Sequence, residues 1–279
     1  MKTTLQNTTP AHLHHLHIAS AKPEALAAFY QRQFALLPTR EGELYVLRGG
    51  TRSITIASAE HPGLLYAAYA LRDAAELEQL AVRLRRSGAE LEEATLPLFA
   101  SGAFLVTDPQ GRKMAFGVPL APRESDAEAA RLQHTVFQTT ELEAVVRFYV
   151  DTIGFTISDE VVDADGTVMV VFLRSDNEHH SLAFFRGSQN EWDHHCYETS
   201  AWNDIRDWAD KFAVQRIPIF FGPGRHGPGN NLFFMVTDPD GNRLEFSAEL
   251  EHVAEEQIPG VWPHGEYTLN SWGRAWIRS

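Results

Sequence analysis

The chain has 279 residues, of which 44% are hydrophobic and 22% are charged, a composition typical of a globular protein large enough for two domains. Acidic residues outnumber basic ones by 37 to 24, and the net charge of -13 argues against a nucleic-acid-binding surface. No segment has the length and apolar character of a signal peptide or a membrane span. The single cysteine, Cys196, fits a reducing compartment, so we predict a cytoplasmic protein that does not interact with membranes.

The sequence contains an internal repeat. Leu13–Leu36, LHHLHIASAKPEALAAFYQRQFAL, aligns with Leu132–Phe155, LQHTVFQTTELEAVVRFYVDTIGF, and this alignment places His15 on His134. A second pair of similar segments, FLVTDPQGRKMAF and FFMVTDPDGNRLEF, follows in the same order. Such a repeat indicates a duplicated module. We predict domains at residues 1–122 and 123–279, joined through the charged segment APRESDAEAARL.

The two copies share an order of elements. In the first, Pro23 suits the start of a helix, and DAAELEQLAVRLRRSG predicts a second helix that stops at Gly88. In the second, the strand LQHTVFQ precedes a helix that begins at TELE and ends at Gly154. The segments TVMVVFLR and HHSLAFFR predict a hairpin, HHCYETS a strand, and WNDIRDWADKFAV a helix. The strands LFFMVTD and NRLEFSA form a closing hairpin around DPDG.

Two βαβββ-like copies, each closing on a DPDG-type hairpin, resemble the vicinal oxygen chelate superfamily, also called the glyoxalase and bleomycin-resistance superfamily. Within it, the two-domain length and the set of histidines resemble the type I extradiol catechol dioxygenases. This resemblance implies an α+β fold with two tandem domains, each a sheet folded into an open barrel. It also implies that the C-terminal domain is catalytic, that its tail closes the pocket, and that the chain forms a homo-oligomer.

The resemblance implies a metal bound by His134, His195 and Glu245. Two imidazoles and one carboxylate can hold Fe(II), or alternatively Mn(II), on one face, and leave the other face open for a diol and O₂. Alternation along a strand predicts that one histidine of His194 and His195 faces inward. The choice of His195 comes from the resemblance, and His194 and Cys196 are then expected to face the helix-packed side.

The first module is expected to have lost its metal site. Ala115 stands where the carboxylate would be, and Tyr66 or Ala67 stands where the second histidine would be, so only His15 remains. The neighbouring histidines resemble a metal-binding tract, but surface or packing roles explain them better; they are His12, His14, His15 and His17.

Two further histidines match the resemblance by their spacing. His180 is expected to line the O₂ side of the pocket and to handle protons, and His179 is expected to face outward. His226, in the glycine-rich loop GPGRHGPGNN, is expected to hydrogen-bond a catecholate oxygen.

The sequence departs from the dioxygenases at Met235, which stands where they commonly carry a tyrosine. Met235, Phe221 and Trp192 are predicted to line the substrate pocket, and Phe221 stands where carboxylate-binding relatives tend to carry arginine. An apolar aromatic substrate is therefore favoured, and the tail expected to close the pocket carries Trp262, Tyr267 and Trp272.

The resemblance implies an Fe(II) extradiol dioxygenase that cleaves a catechol-type diol with O₂. The substitution at Met235 keeps open a non-oxidative metalloenzyme on the same scaffold, such as an isomerase, a hydrolase or a thiol-adding enzyme. A metal-free binding protein is disfavoured, because it would not need the three metal ligands.

Overall fold

A computed structural model of the chain describes residues 9–120 and 130–273. The described residues form two sheets of eight and nine strands, with helices packed against them. The α+β fold expected from the sequence is therefore confirmed. The predicted domain boundary at residues 122–123 lies outside the described residues and stays a prediction. No helix in the described ranges is long and apolar enough to cross a membrane.

The first sheet has the strand order β2-β3-β4-β1-β5-β8-β7-β6. Its strands are His12–Ser20 (β1), Pro38–Glu41 (β2), Leu44–Leu47 (β3), Ser53–Ser58 (β4), Gly63–Ala70 (β5), Leu91–Glu93 (β6), Phe104–Thr107 (β7) and Lys113–Gly117 (β8). Its helices are Pro23–Phe34 (α1), which begins at the predicted proline, and Ala74–Arg86 (α2). The side chain of Asp73 caps α2 by accepting hydrogen bonds from the backbone amides of Ala75 and Glu76.

The second sheet has the strand order β14-β15-β16-β13-β9-β12-β11-β10-β17. Its strands are Arg131–Thr139 (β9), Thr156–Val162 (β10), Val168–Arg174 (β11), Leu182–Arg186 (β12), Glu191–Thr199 (β13), Phe221–Arg225 (β14), Leu232–Thr237 (β15), Arg243–Ala248 (β16) and Gly260–Pro263 (β17). Its α-helices are Leu142–Arg147 (α3), Trp202–Val214 (α4) and Glu266–Leu269 (α5).

The helix after β9 differs from the predicted one in its start and its second half. The N-cap is Glu141 and makes no side-chain capping bond, so the TELE segment does not act as a capping box. Residues Phe148–Ile153 continue α3 as a π-helix, and Gly154 ends it at a φ of 88°. Glycine adopts this left-handed conformation without the steric penalty that other residues incur, as the sequence predicted.

The strands β9, β13 and β16 place the chemistry-bearing residues next to one another. Cys196 of β13 is in register with Glu245 of β16 on one side and with His134 of β9 on the other. Residues in register across neighbouring strands project to the same face. The register between β13 and β9 shifts between Trp192 and His194, which marks a β-bulge at Asp193.

Helices of each module reach into the other module at a shared interface. The hydroxyl of Tyr30 on α1 lies 3.2 Å from a carboxylate oxygen of Asp238, in the turn between β15 and β16. Reciprocally, the hydroxyl of Tyr149 lies 3.4 Å from a carboxylate oxygen of Asp108, in the turn between β7 and β8. Phe34 of α1 packs against Tyr197 of β13, with the two ring centroids 4.4 Å apart. The two modules therefore share one buried core.

Candidate metal centre

Three buried side chains with metal-binding atoms converge on the inner face of the second sheet. The Nε2 atom of His194 lies 3.3 Å from the Oε2 atom of Glu245. The ring centroid of His134 lies 5.6 Å from that of His194. All three side chains line the same cavity, and none is more than about 5% exposed. The geometry therefore groups His134, His194 and Glu245.

The expectation that His195 is a metal ligand is wrong on this geometry. Its Nε2 atom lies 3.2 Å from the hydroxyl of Tyr30, on the opposite face of the sheet, where the two modules meet. His195 also stacks on Trp192, with ring centroids 4.9 Å apart. The register between β13 and β16 explains this orientation. Because Cys196 shares a face with Glu245, its neighbour His195 points to the opposite face and His194 points inward.

Both imidazoles have their Nδ1 atom engaged by a neighbouring oxygen. The Nδ1 of His134 lies 2.5 Å from the amide oxygen of Gln133, and the Nδ1 of His194 lies 2.5 Å from a carboxylate oxygen of Asp193. An N–H on Nδ1 leaves Nε2 as the nitrogen with a lone pair. Metal-binding histidines typically have this arrangement, because the outer oxygen fixes the tautomer and orients the ring.

The contact between His194 and Glu245 brings together two atoms that both accept hydrogen bonds, and such a pair requires a proton or a cation between them. Burial opposes protonation of His194, but hydrogen bonds with Asp193 and Glu245 outweigh it and raise its pKa. Burial alone would raise the pKa of Glu245, whereas the neighbouring imidazoles of His194 and His226 hold it well below its usual range. Burial lowers the pKa of His134 to about 3, which leaves a neutral ring. A carboxylate with two oriented imidazoles fits a divalent metal ion.

Cys196 offers a further sulfur atom beside this group, because His134, Cys196 and Glu245 have ligand atoms within 4.8 Å of one another. Its thiol donates to the hydroxyl of Ser247, at 3.1 Å. Burial and the nearby charge of Glu245 raise the pKa of Cys196 well above its usual range, which disfavours a thiolate ligand. Cys196 does not line the cavity that the other ligands face. We therefore take His194 as the third member of the set.

The cavity beside the three ligands has an apolar wall and encloses about 470 Å³ of empty space, part of it open to solvent. Phe221 and Met235 line it, where the sequence placed them. The other apolar lining residues are Val136, Phe172, Phe185, Pro228 and Leu269. No arginine or lysine of the described residues lines the cavity. Its chemistry therefore suits an uncharged aromatic ring better than one with a carboxylate.

Trp192 does not line this cavity, contrary to the expectation. The β-bulge at Asp193 turns Trp192 to the face of His195, and its indole N–H donates to the hydroxyl of Thr135, at 2.9 Å. The tail contributes Thr268 and Leu269 to the cavity wall, whereas Tyr267 is exposed.

His180 and His226 both line the cavity. The ring of His180 lies 4.4 Å from that of His134, measured between centroids. His226 stacks on Phe233, with ring centroids 3.8 Å apart. Its Nε2 atom lies 3.7 Å from the Oε1 atom of Glu245. The Nδ1 of His226 contacts the backbone oxygen of Leu269, at 2.5 Å, which links the loop to the tail.

His179 does not face outward as expected, because its side chain is fully buried behind His180. The reason is that neither histidine lies within a strand: β12 begins only at Leu182, so strict alternation does not apply to them. The sequence reasoning also missed Asp193 and Asp159, the carboxylates next to His194 and His179. The adjacency of Asp193 to the histidine pair was the one signal available for them.

In the first module, the corresponding positions carry different residues. His15 pairs with Ala68 and Ala68 with Ala115, as His134 pairs with Cys196 and Cys196 with Glu245. This register places Tyr66 at the position of His194. His15 is packed against Tyr66 and Phe99. Within the described ranges, the one group of three potential ligands lies in the second module.

Comparison with known proteins agrees with this architecture. Residues 131–246 match the model of the Glyoxalase/Bleomycin resistance protein/Dioxygenase superfamily. Metapyrocatechase 2 from Cupriavidus necator is 29% identical over 147 residues, which cover 51% of this chain and 44% of that protein. The match thus spans less than half the length of this curated relative.

Two solved structures share the fold over nearly the whole chain. The Mn(II)-bound glyoxalase from Novosphingobium aromaticivorans has a TM-score of 0.82 at 22% identity, covering 96% of this chain and 91% of that chain. The homoprotocatechuate 2,3-dioxygenase from Arthrobacter globiformis has a TM-score of 0.84 at 21% identity, covering 98% and 91%. Residues 131–246 are thus similar in sequence to the Glyoxalase/Bleomycin resistance protein/Dioxygenase superfamily, and the chain as a whole shares its fold with these two solved structures.

Proposed function

We propose that this protein is an Fe(II)-dependent extradiol dioxygenase that cleaves a catechol-type aromatic diol with O₂. The observation that carries the proposal is the convergence of His134, His194 and Glu245 in the wall of one largely apolar cavity. Two histidines and one carboxylate with open positions are the ligand set of non-haem Fe(II) oxygenases. The similarity to a metapyrocatechase supports the same reaction class.

The residues that would hold the iron are the two imidazole Nε2 atoms and the carboxylate of Glu245. When bound, Fe(II) would acidify a coordinated diol and supply the redox chemistry that O₂ requires. The protein supplies orientation through Asp193 and Gln133, whose oxygens fix the two imidazoles.

The other groups in the cavity have roles that follow from their positions. His180 and His226 face the space beside the ligands, where each can accept a proton from a diol hydroxyl or donate to a developing oxyanion. A substrate ring packed against the apolar wall would displace water from the ligands, and exclusion of water would strengthen each of these polar contacts. The substrate class that we propose is a catechol that is uncharged or carries apolar substituents. We also propose that the protein forms an oligomer of identical chains.

The proposal is tested by loading the anaerobically purified protein with Fe(II) and recording O₂ uptake with a panel of catechols. We expect O₂ uptake with a yellow ring-cleavage product, and loss of both in Glu245→Ala. Glu255→Ala, at an exposed position, is the matched control and should retain activity. Bound iron without O₂ uptake on any diol would contradict the proposal.

A non-oxidative metalloenzyme is the second candidate function. Two observations favour it: Met235 supplies no hydroxyl to the cavity, and the fold is shared with an Mn(II)-bound glyoxalase. Such an enzyme would bind Mn(II) through the same three residues and would act on its substrate without consuming O₂. Oxygen consumption therefore distinguishes the two functions.

A further inference from the structure

A buried chain of three side chains runs away from the cavity behind His180. The Nδ1 atom of His180 lies 3.0 Å from the Nδ1 atom of His179. The Nε2 atom of His179 lies 3.0 Å from the Oδ2 atom of Asp159 and has no other polar partner among the described residues. All three side chains are less than about 9% exposed, so bulk water does not compete for these contacts.

The direction of this chain is fixed at its far end, by Asp159. The backbone N–H of Gly260 donates to Oδ1 of Asp159, at 2.8 Å, and the indole N–H of Trp262 donates to Oδ2, at 2.7 Å. Both groups are obligatory donors, so Asp159 acts as an acceptor. Burial alone would raise the pKa of Asp159, but hydrogen bonds with His179 and Trp262 lower it overall, which keeps it ionised.

The positions of the protons on His179 and His180 follow from the acceptor role of Asp159. Because a carboxylate oxygen and an imidazole lone pair would not lie only 3.0 Å apart, the acceptor at Asp159 places an N–H on Nε2 of His179. One proton there satisfies that contact and leaves Nδ1 of His179 as an acceptor. The facing Nδ1 of His180 must then be the donor, because two acceptor nitrogens would not approach to 3.0 Å.

We propose that His179 and Asp159 are positioning residues that hold His180 in the Nδ1–H tautomer and so present its Nε2 lone pair to the cavity. The inference rests on the proposed function for its chemical consequence. An acceptor nitrogen that faces the cavity can take a proton from a hydroxyl of the bound diol. An N–H at the same position could only donate a hydrogen bond.

The packing around His179 supports a built arrangement. The Cβ position at Gly229, which has a φ of +74°, lies only 3.1 Å from Nδ1 of His179, so a side chain there would displace the ring. The Cβ position at Gly260 lies 2.7 Å from Oδ1 of Asp159. Glycine at both positions lets the backbone pack closely around the side chains of His179 and Asp159.

The test is the tautomer of His180 in the metal-free protein, read from long-range ¹H–¹⁵N correlation spectra after ¹⁵N-histidine labelling. His180→Gln assigns the signals. We expect the Nδ1–H form for His180 and the Nε2–H form for His179. An Nε2–H form of His180, or a doubly protonated His179, would overturn the proposal.

Two variants at His179 separate positioning from packing. The side-chain oxygen of His179→Asn can take the place of the Nδ1 acceptor, so His180 should keep its Nδ1–H tautomer. His179→Leu keeps bulk without an acceptor, and His180 should then lose this tautomer. If His180 keeps it in His179→Leu, the inference is wrong. Should His179→Leu fail to fold, the spectra of the parent protein and His179→Asn still decide the question.

The consequence for catalysis is measured separately. In the Fe(II)-loaded protein, His179→Leu should lower kcat by roughly 10- to 100-fold with little change in KM, and His179→Asn should restore much of it. Unchanged kcat in His179→Leu would overturn the positioning role. Because the spectra need neither iron nor O₂, they report on the tautomer even if the protein is not a dioxygenase.

Discussion

The Nε2 atom of His194 lies 3.3 Å from the Oε2 atom of Glu245, at a distance that requires a cation or a proton between them. His195, its neighbour, contacts Tyr30 at the junction of the two modules instead. One histidine of the pair therefore faces the cavity beside Glu245, and the other packs at the junction of the two modules.

Asp193 should tune the affinity for the metal without touching it. Its carboxylate contacts Nδ1 of His194 and is also held by Arg243, at 3.1 Å. Asp193→Asn weakens the acceptor that orients the imidazole, so we expect the metal affinity to fall by about 10- to 100-fold. Competition with a chromophoric chelator measures it. Asp207→Asn, at an exposed position on α4, should leave the affinity unchanged, and an equal loss in both variants would contradict the role of Asp193.

Met235→Tyr should add a hydroxyl to the cavity that the protein lacks at this position. Met235 is in register with Glu245, so its side chain projects to the same face as the carboxylate. A new hydrogen bond to a bound catecholate should tighten binding of catechol by roughly tenfold. The larger ring is also expected to cost about 1–3 kcal/mol of folding stability.

Catechol titration of the anaerobic Fe(II)-loaded variants measures this effect. Met235→Leu is the matched control and should bind catechol as the parent protein does. Equal affinity in Met235→Tyr and Met235→Leu, at equal iron content, would show that the hydroxyl does not reach the substrate.

Tyr30→Phe should destabilise the fold but leave the metal centre intact. The change removes a contact with Asp238 and the partner of the Nε2 atom of His195, both buried. We expect a loss of about 1–2 kcal/mol in the free energy of unfolding, measured with urea. Tyr267→Phe, at an exposed position, is the control and should change little. A loss of iron with unchanged stability would contradict an interface role.

The stability of the protein should depend on pH through Asp238. Burial raises the pKa of Asp238 from 3.8 to about 6. Between these values the folded state binds more protons than the unfolded state, so this contribution to stability is lost as the pH rises from about 4 to 6. Asp238→Asn should therefore remove a pH-dependent change on the order of 2 kcal/mol in the free energy of unfolding. Urea unfolding of both proteins at pH 4.5 and 7 measures it, and identical pH dependence would contradict the prediction.

Most of the architecture could be predicted from the sequence because it depends on local patterns and on the repeat. The helix over Trp202–Val214 follows the predicted segment, and the hairpin around DPDG pairs β15 with β16. The repeat also identified His15 and His134 as equivalent positions, which the strand register confirms. Periodicity and turn residues act over a few positions, so one sequence suffices to read them.

The errors arose where one residue changes the phase of a strand. The bulge at Asp193 places Trp192 and His195 on one face, although simple alternation would separate them. Which of His194 and His195 faces inward depends on pairing with β16, a strand about 50 positions away. His179 likewise contacts Asp159, and Trp262 donates to the same carboxylate; both residues come from strands that are not adjacent to His179 in the sequence.

The most direct test of the account is the iron content of His194→Ala and His195→Ala after anaerobic loading with Fe(II) and removal of free metal. We predict that His195→Ala retains about one iron per chain and that His194→Ala retains less than about a tenth of that. Circular dichroism of both variants verifies that each is folded. Iron retained by His194→Ala and lost from His195→Ala would contradict the assignment of the metal centre.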